Sequence, residues 1–150
     1  MLLQAHYATS LGWITISYED DAVVSLRFGK SDLHSPAPVT ELAAAQLREY
    51  FTGTRQNFTF PCSLRGTPFQ KAVWSELRRI PYGETRTYGQ IAAAIGKPSA
   101  ARAVGMACNK NPIWIAIPCH RVLGKNASLT GYAGGLELKR KLLELEQNHL

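Results

Sequence analysis

The sequence predicts an α+β chain: a small N-terminal β-meander with a helix, then a mostly helical C-terminal domain that holds a helix-turn-helix and a buried apolar strand. Three observations predict it. Short runs rich in Ile, Val, Tyr and Phe crowd the first 28 residues. Helical periodicity with capping residues takes over after Gly66. The charge also changes sign along the chain, from four Lys/Arg against six Asp/Glu in residues 1–60 to thirteen against five in residues 61–150.

The elements follow in order. Leu2–Tyr7, Gly12–Tyr18 and Ala22–Phe28 read as three antiparallel strands, separated by the small or polar breaks Thr9–Leu11 and Glu19–Asp21. Lys30–Pro38, with its prolines, serines and aspartate, reads as a loop. Thr40 is placed to cap a helix from Glu41 to about Phe51, with Leu42, Ala45, Leu47 and Phe51 as its apolar positions and Gly53 as its stop. Phe58–Phe60 reads as one more strand. Residues 1–60 thus form a scaffold domain with no visible chemistry, and residues 61–66 form a linker.

The domain at 67–150 begins with Thr67-Pro68, a capping residue followed by proline at the first helical position. Phe69, Val73, Trp74, Leu77 and Ile80 give the following helix an apolar face, and Pro81-Tyr82-Gly83 ends it. Thr87 caps a second helix over Tyr88–Ile95, closed by Gly96. A third runs from Ala100 to about Cys108. The short Gly-Lys-Pro-Ser connection makes this pair resemble a helix-turn-helix, with Arg102 where recognition helices place contacts to DNA. Residues 113–117 (Ile-Trp-Ile-Ala-Ile) read as a fully buried strand that aims Pro118-Cys119-His120-Arg121 at a fixed place. A polar loop, a glycine-rich turn at 131–135 and an amphipathic helix over Leu136–Gln147, with Leu138, Leu142, Leu143 and Leu145 inward, complete the chain.

Composition excludes several classes. The three cysteines, Cys62, Cys108 and Cys119, are odd in number and lack a C-x-x-C spacing, which speaks against a disulfide framework and a zinc knuckle. No signal-peptide pattern and no membrane-length apolar run is present, so a cytoplasmic, reduced protein with no membrane partner is expected. The basic C-terminal part is suited to a polyanion. Cys119 beside His120 offers thiolate chemistry, because a free thiol near pKa ~8.5 needs a base to be reactive at neutral pH. A water can relay the proton between them. The imidazole then needs an orienting acid, and Glu76, Glu84, Glu137, Glu144 and Glu146 are the acids available in that domain.

The run Asn111-Pro112-Ile113-Trp114-Ile115-Ala116-Ile117-Pro118-Cys119-His120-Arg121-Val122 resembles the O6-alkylguanine-DNA alkyltransferases, also called methylated-DNA–protein-cysteine methyltransferases. The likeness extends to Tyr88-Gly89-Gln90-Ile91-Ala92, Ala101-Arg102-Ala103-Val104-Gly105, Gly131-Tyr132-Ala133-Gly134-Gly135-Leu136 and Leu142-Leu143-Glu144-Leu145-Glu146, covering about residues 67–146. The resemblance implies the roles. Cys119 is the alkyl acceptor, His120 its base through a water, Glu146 the acid that orients His120, and Asn111 the hinge that ties the recognition helix to the active-site strand. Arg102 is the finger that enters duplex DNA from the minor groove, and Tyr88 helps rotate the nucleotide out. Tyr132, with the backbone at Val122 and Ala133, walls the flipped guanine.

The implied function is single-turnover repair of O6-alkylguanine, with O4-alkylthymine as a second substrate, by a monomer without cofactor. Some relatives carry a structural zinc in the N-terminal domain. With no cysteine before Cys62, no metal is expected here. Some also carry a serine where this chain has Ala133, so a hydroxyl contact to the lesion oxygen is absent. The competing readings are a non-catalytic alkylation-damage sensor, which would lack the acceptor cysteine, and a cysteine hydrolase or acyltransferase, which would need neither Tyr88, Arg102 nor a basic helix pair.

Overall fold

A computed structural model describes all 150 residues. The chain divides into two compact units, Met1–Arg65 with Pro112–Trp114, and Gly66–Asn111 with Ile115–Leu150. No helix is long and apolar enough to cross a membrane.

The first unit is built on an antiparallel sheet in the order β1-β2-β3, with β1 at Leu3–Thr9, β2 at Gly12–Glu19 and β3 at Ala22–Phe28. The hairpin between β1 and β2 needs only Ser10 and Leu11, since Thr9 already pairs with Gly12. Central β2 is buried on both faces from Ile14 to Tyr18, so its polar members need partners. Thr15 finds them in the Gly29 carbonyl (2.8 Å) and the Ser31 amide (3.0 Å).

Helix α1 spans Pro38–Phe51, three residues longer at its start than expected. Pro38 sits at the first helical position, where its missing N–H costs nothing. Thr40 is therefore not the cap: it lies in the first turn, and its hydroxyl accepts from the Ala37 amide at 2.9 Å. The inward face is Val39, Ala43, Leu47, Tyr50 and Phe51, while Leu42 and Ala45 face out. Phe58–Phe60 is not a strand, because the Thr59 amide donates to the Gln46 side chain (2.9 Å) rather than to a neighbouring strand. Downstream, in the stretch expected as a linker, Pro61 and Ser63 pair with the Val23 backbone through a bridge centred on Cys62. Pro112–Trp114 returns to this unit by a second bridge, Leu26 to Ile113.

The second unit is helical. Helix α2 covers Pro68–Leu77 and opens on a complete capping box, Thr67 Oγ1 accepting from the Gln70 amide and Gln70 Oε1 from the Thr67 amide. Thr87 and Gln90 repeat the device for α3, Tyr88–Ala94. Gly96, at φ +79°, closes that helix, and α4 follows at Ala101–Asn109, completing the helix-turn-helix. A two-stranded parallel ladder absent from the sequence reading joins β4, Arg86–Thr87, to β5, Val122–Leu123. Helix α5 spans Leu136–Asn148.

The apolar run 113–117 is not a continuous strand. Ile115 adopts φ +74°, a left-handed conformation rare for a β-branched residue, and this breaks the extended run into single bridges. Nor is it fully buried: Ile113, Ile115 and Ile117 are, while Trp114 and Ala116 are partly exposed.

Candidate active site

The chain delivers Cys119, His120 and Arg121 on one buried turn of 3-10 helix, stacked against α5. This tight turn sends three consecutive side chains to different partners. Pro118 precedes it, and the Cys119 amide is tied to the Ile117 carbonyl at 2.8 Å.

Asn111, just beyond α4, donates through Nδ2 to the Ile117 carbonyl (2.8 Å) and to Cys119 Sγ (3.1 Å). One amide thus fixes both the approach to the turn and the thiol itself. Burial pushes the Cys119 thiol up to about 11, opposed by the Asn111 bond and by the positive charge of Lys139. At rest the group is a protonated thiol, so its chemistry requires a nearby base.

His120 Nε2 lies 2.7 Å from Glu146 Oε2, both side chains being buried. Burial would raise the Glu146 carboxyl, but the bonds from His120 and then Arg121 overcome it and hold the group at about 2. A carboxylate only accepts, so Nε2 carries the hydrogen and Nδ1 carries the lone pair. Burial lowers the His120 pKa, which keeps the imidazole neutral at pH 7. Its Nδ1 is buried and has no protein partner, leaving it free to take a proton.

The sequence reading missed Arg121. Its Nε and Nη2 each bind the Glu146 carboxylate at 2.9 Å, and Nη1 donates to the Ile80 carbonyl at 2.8 Å. The Gly83 amide adds a bond to Glu146 Oε1 at 3.1 Å. Every oxygen lone pair that can matter is engaged, so the carboxylate has one orientation. Lys139 was missed as well. It lies fully buried on α5, where Leu138, Leu143 and Leu145 were expected inward but are only partly buried. Its place three residues before Leu142 and seven before Glu146, on the buried helical face, was the available signal.

The remaining candidates surround this centre. Tyr88, first residue of α3, directs its hydroxyl at the carbonyls of Thr130 (3.3 Å) and Gly131 (3.5 Å). Ionisation of Cys119 would act on this hydroxyl, as on the buried hydroxyl of Tyr132. A Cβ at Gly105 would stand 3.8 Å from the Tyr88 ring, so α4 passes close beside it. Arg102 is exposed on α4 and lines a cavity of about 610 Å³ together with Thr87, Tyr88, Gly89, Gly105 and Lys125. Val122 is buried in β5, and Ala133 is exposed in the turn before α5. No cluster of three or more His, Cys, Asp or Glu side chains is arranged to hold a metal ion.

Comparison with known proteins points the same way. Residues 68–148 match the family described as 6-O-methylguanine DNA methyltransferase, DNA binding domain. The constitutive methylated-DNA–protein-cysteine methyltransferase of Bacillus subtilis is 46% identical over 151 residues, spanning 93% of this chain and 92% of that protein. The crystal structure of Mycobacterium tuberculosis O6-methylguanine methyltransferase superposes with a TM-score of 0.90 at 43% identity, over all of this chain and 95% of that one. The Mycobacterium tuberculosis enzyme solved in complex with DNA gives 0.90 at 44% identity, over 97% and 93% of the two chains. A buried thiol, a neutral imidazole and a fixed carboxylate behind a helix-turn-helix, at this level of identity along nearly the whole length, place the chain in the O6-methylguanine-DNA methyltransferase family.

Proposed function

We propose that this protein repairs O6-methylguanine in DNA by moving the methyl group onto Cys119. The observation that carries the reading is the buried relay of Cys119, His120 and Glu146, in which the His120 nitrogen opposite Glu146 is free to accept a proton. The O6-alkyl carbon is shielded in a duplex, so the damaged nucleotide must leave the stack, at a cost of a few kcal/mol. Arg102, on the exposed N-terminal turn of α4, fills the gap from the minor groove, where its planar cation stacks on neighbouring bases. Tyr88 assists rotation of the nucleotide, and Tyr132 with the backbone of Val122 and Ala133 walls the extruded base.

His120 Nδ1 then takes the thiol proton, relayed through a water. The Cys119 sulfur attacks the alkyl carbon, a C–S bond forms, and the C–O bond to guanine breaks with its electron pair. Tyr88 donates to the departing base. The product thioether has no neighbouring group to cleave it, so each molecule acts once. The same chemistry fits O4-alkylthymine. The protein works as a monomer and without cofactor.

Intact mass after mixing with a duplex holding one O6-methylguanine tests this. A gain of one methylene mapped to Cys119, and abolished in Cys119→Ser, is expected. Duplex binding without mass change would replace the reading with a damage sensor. Neither binding nor mass change would replace it with a cysteine hydrolase.

A further inference from the structure

The buried charges of the second unit do not balance while Cys119 is a thiol. Its buried ionisable side chains, apart from the cysteines, are His120, Arg121, Lys139 and Glu146. His120 is neutral, and Arg121 and Glu146 cancel in a bidentate pair. Lys139 remains as one uncompensated cation at 0% exposure. An unpaired buried ammonium is costly, so its retention calls for a counter-charge. Its Nζ donates to the carbonyls of Thr130 (2.5 Å) and Gly131 (3.0 Å), which supply dipoles but no net charge. The groups that act on it electrostatically are Cys119, on the 3-10 turn, and Cys108, on α4. Its own positive charge in turn acts on His120. From α3, Tyr88 presents its ring face 5.9 Å from Nζ. Cys108 is pushed up to about 12 by burial and stays a neutral thiol. Ionisation of Cys119 supplies the missing negative charge, and passage of its proton beyond His120 to solvent brings the buried sum to zero.

We propose that Lys139 is a positioning residue of the transfer site: its ammonium supplies the counter-charge for the Cys119 thiolate and, by the same two bonds, holds the Thr130–Gly131 backbone that receives the Tyr88 hydroxyl. The inference rests on Cys119 as the reactive thiol. It makes Lys139 the link between the nucleophile and the wall of the base pocket. A Cβ at Gly131 would stand 3.4 Å from the Tyr88 hydroxyl, so the segment that Lys139 holds lies directly against Tyr88.

The test uses the full-length protein without DNA. Iodoacetamide labelling of Cys119, mapped by mass spectrometry, is followed against pH in the native chain and in Lys139→Gln, Lys139→Met and Lys139→Arg. Loss of the charge should move the labelling midpoint of the Gln and Met variants up by a unit or more, about a tenfold loss of rate at neutral pH. Arginine should restore it. An unmoved midpoint in Lys139→Gln, which keeps a hydrogen-bond donor, overturns the proposal. A second measurement needs no variant: the Lys139 Nζ resonance is titrated before and after Cys119 is capped as a thioether. Coupling is reciprocal, so the lysine midpoint should fall on capping. No change overturns the proposal. Failure of methyl transfer from DNA alongside intact Lys139–Cys119 coupling would count against the repair reading alone.

Discussion

In the proposed reaction four side chains convert an inert buried thiol into a nucleophile held in reserve. Asn111 points the sulfur, His120 stays neutral to receive its proton, Glu146 fixes the tautomer, and Arg121 fixes Glu146. Arg121 is the member whose loss is most informative. Arg121→Met leaves a buried carboxylate without its bidentate guanidinium. We expect it to cost about 3–5 kcal/mol of stability, as breaking a buried ion pair does. Arg121→Lys should recover only part of this, since an ammonium cannot hold both oxygens in parallel. Urea denaturation measures both. The Pro-Cys-His-Arg-Val string made Cys119, His120 and, through family likeness, Glu146 legible in the sequence. It did not reveal what Arg121 binds, because the Ile80 carbonyl and the Glu146 carboxylate are 41 and 25 residues away. Lys139 was hidden for a different reason: charge normally marks a solvated face, and here it sits on the buried one.

At the scale of elements, local chemistry was readable and long-range pairing was not. Thr67-Pro68 and Thr87 announced α2 and α3 because capping is settled within four residues. Thr67→Ala should therefore cost about 1 kcal/mol, read as a shift in thermal midpoint, with methyl transfer to Cys119 unimpaired at temperatures where the chain stays folded. The start of α1 was misplaced because Thr40 suits a cap by composition but Pro38 fixes the first turn earlier. The β4–β5 ladder pairs Arg86 with Val122 across 36 positions, and neither two-residue segment has a periodicity to detect. The stop at Pro81-Tyr82-Gly83 was legible in the sequence, but the bond from Gly83 to the site was not. The glycine's φ of +80° disfavours any side chain. Because the same residue's amide binds Glu146, Gly83→Ala should disturb the relay as well as the turn. We expect slower methyl transfer together with a lower melting temperature. A variant that melts lower but transfers at the native rate would separate the turn from the site.

For the whole molecule, the relay sets how stability responds to acid. The His120 pKa is lowered in the folded chain, so the unfolded chain binds protons more readily below the ordinary histidine value of 6.5. Stability is therefore full above that pH and starts to decline beneath it. Glu146 follows lower down: held at about 2 against an ordinary 4.5, it contributes stability above pH 4.5 that is lost as the pH falls toward 2. Both groups act in the same direction, and they share one hydrogen bond, so their titrations are coupled: a proton on Glu146 removes the carboxylate that both His120 and Arg121 are held against. The expected outcome is a urea midpoint that is flat near neutrality, declines below about pH 6.5 and falls more steeply below about pH 4.5. In Glu146→Gln the steep lower limb should flatten, because the amide does not titrate, while absolute stability at pH 7 drops with the loss of a charge partner for Arg121. A Glu146→Gln chain that retained the full lower limb would place the acid sensitivity elsewhere, in exposed pairs such as Glu19 with Arg65, whose carboxyl is also held low by its arginine. Salt separates the two sources, since an exposed pair is screened at high ionic strength and a buried one is not. A lower limb that persists in concentrated salt therefore belongs to the buried cluster of His120, Arg121 and Glu146.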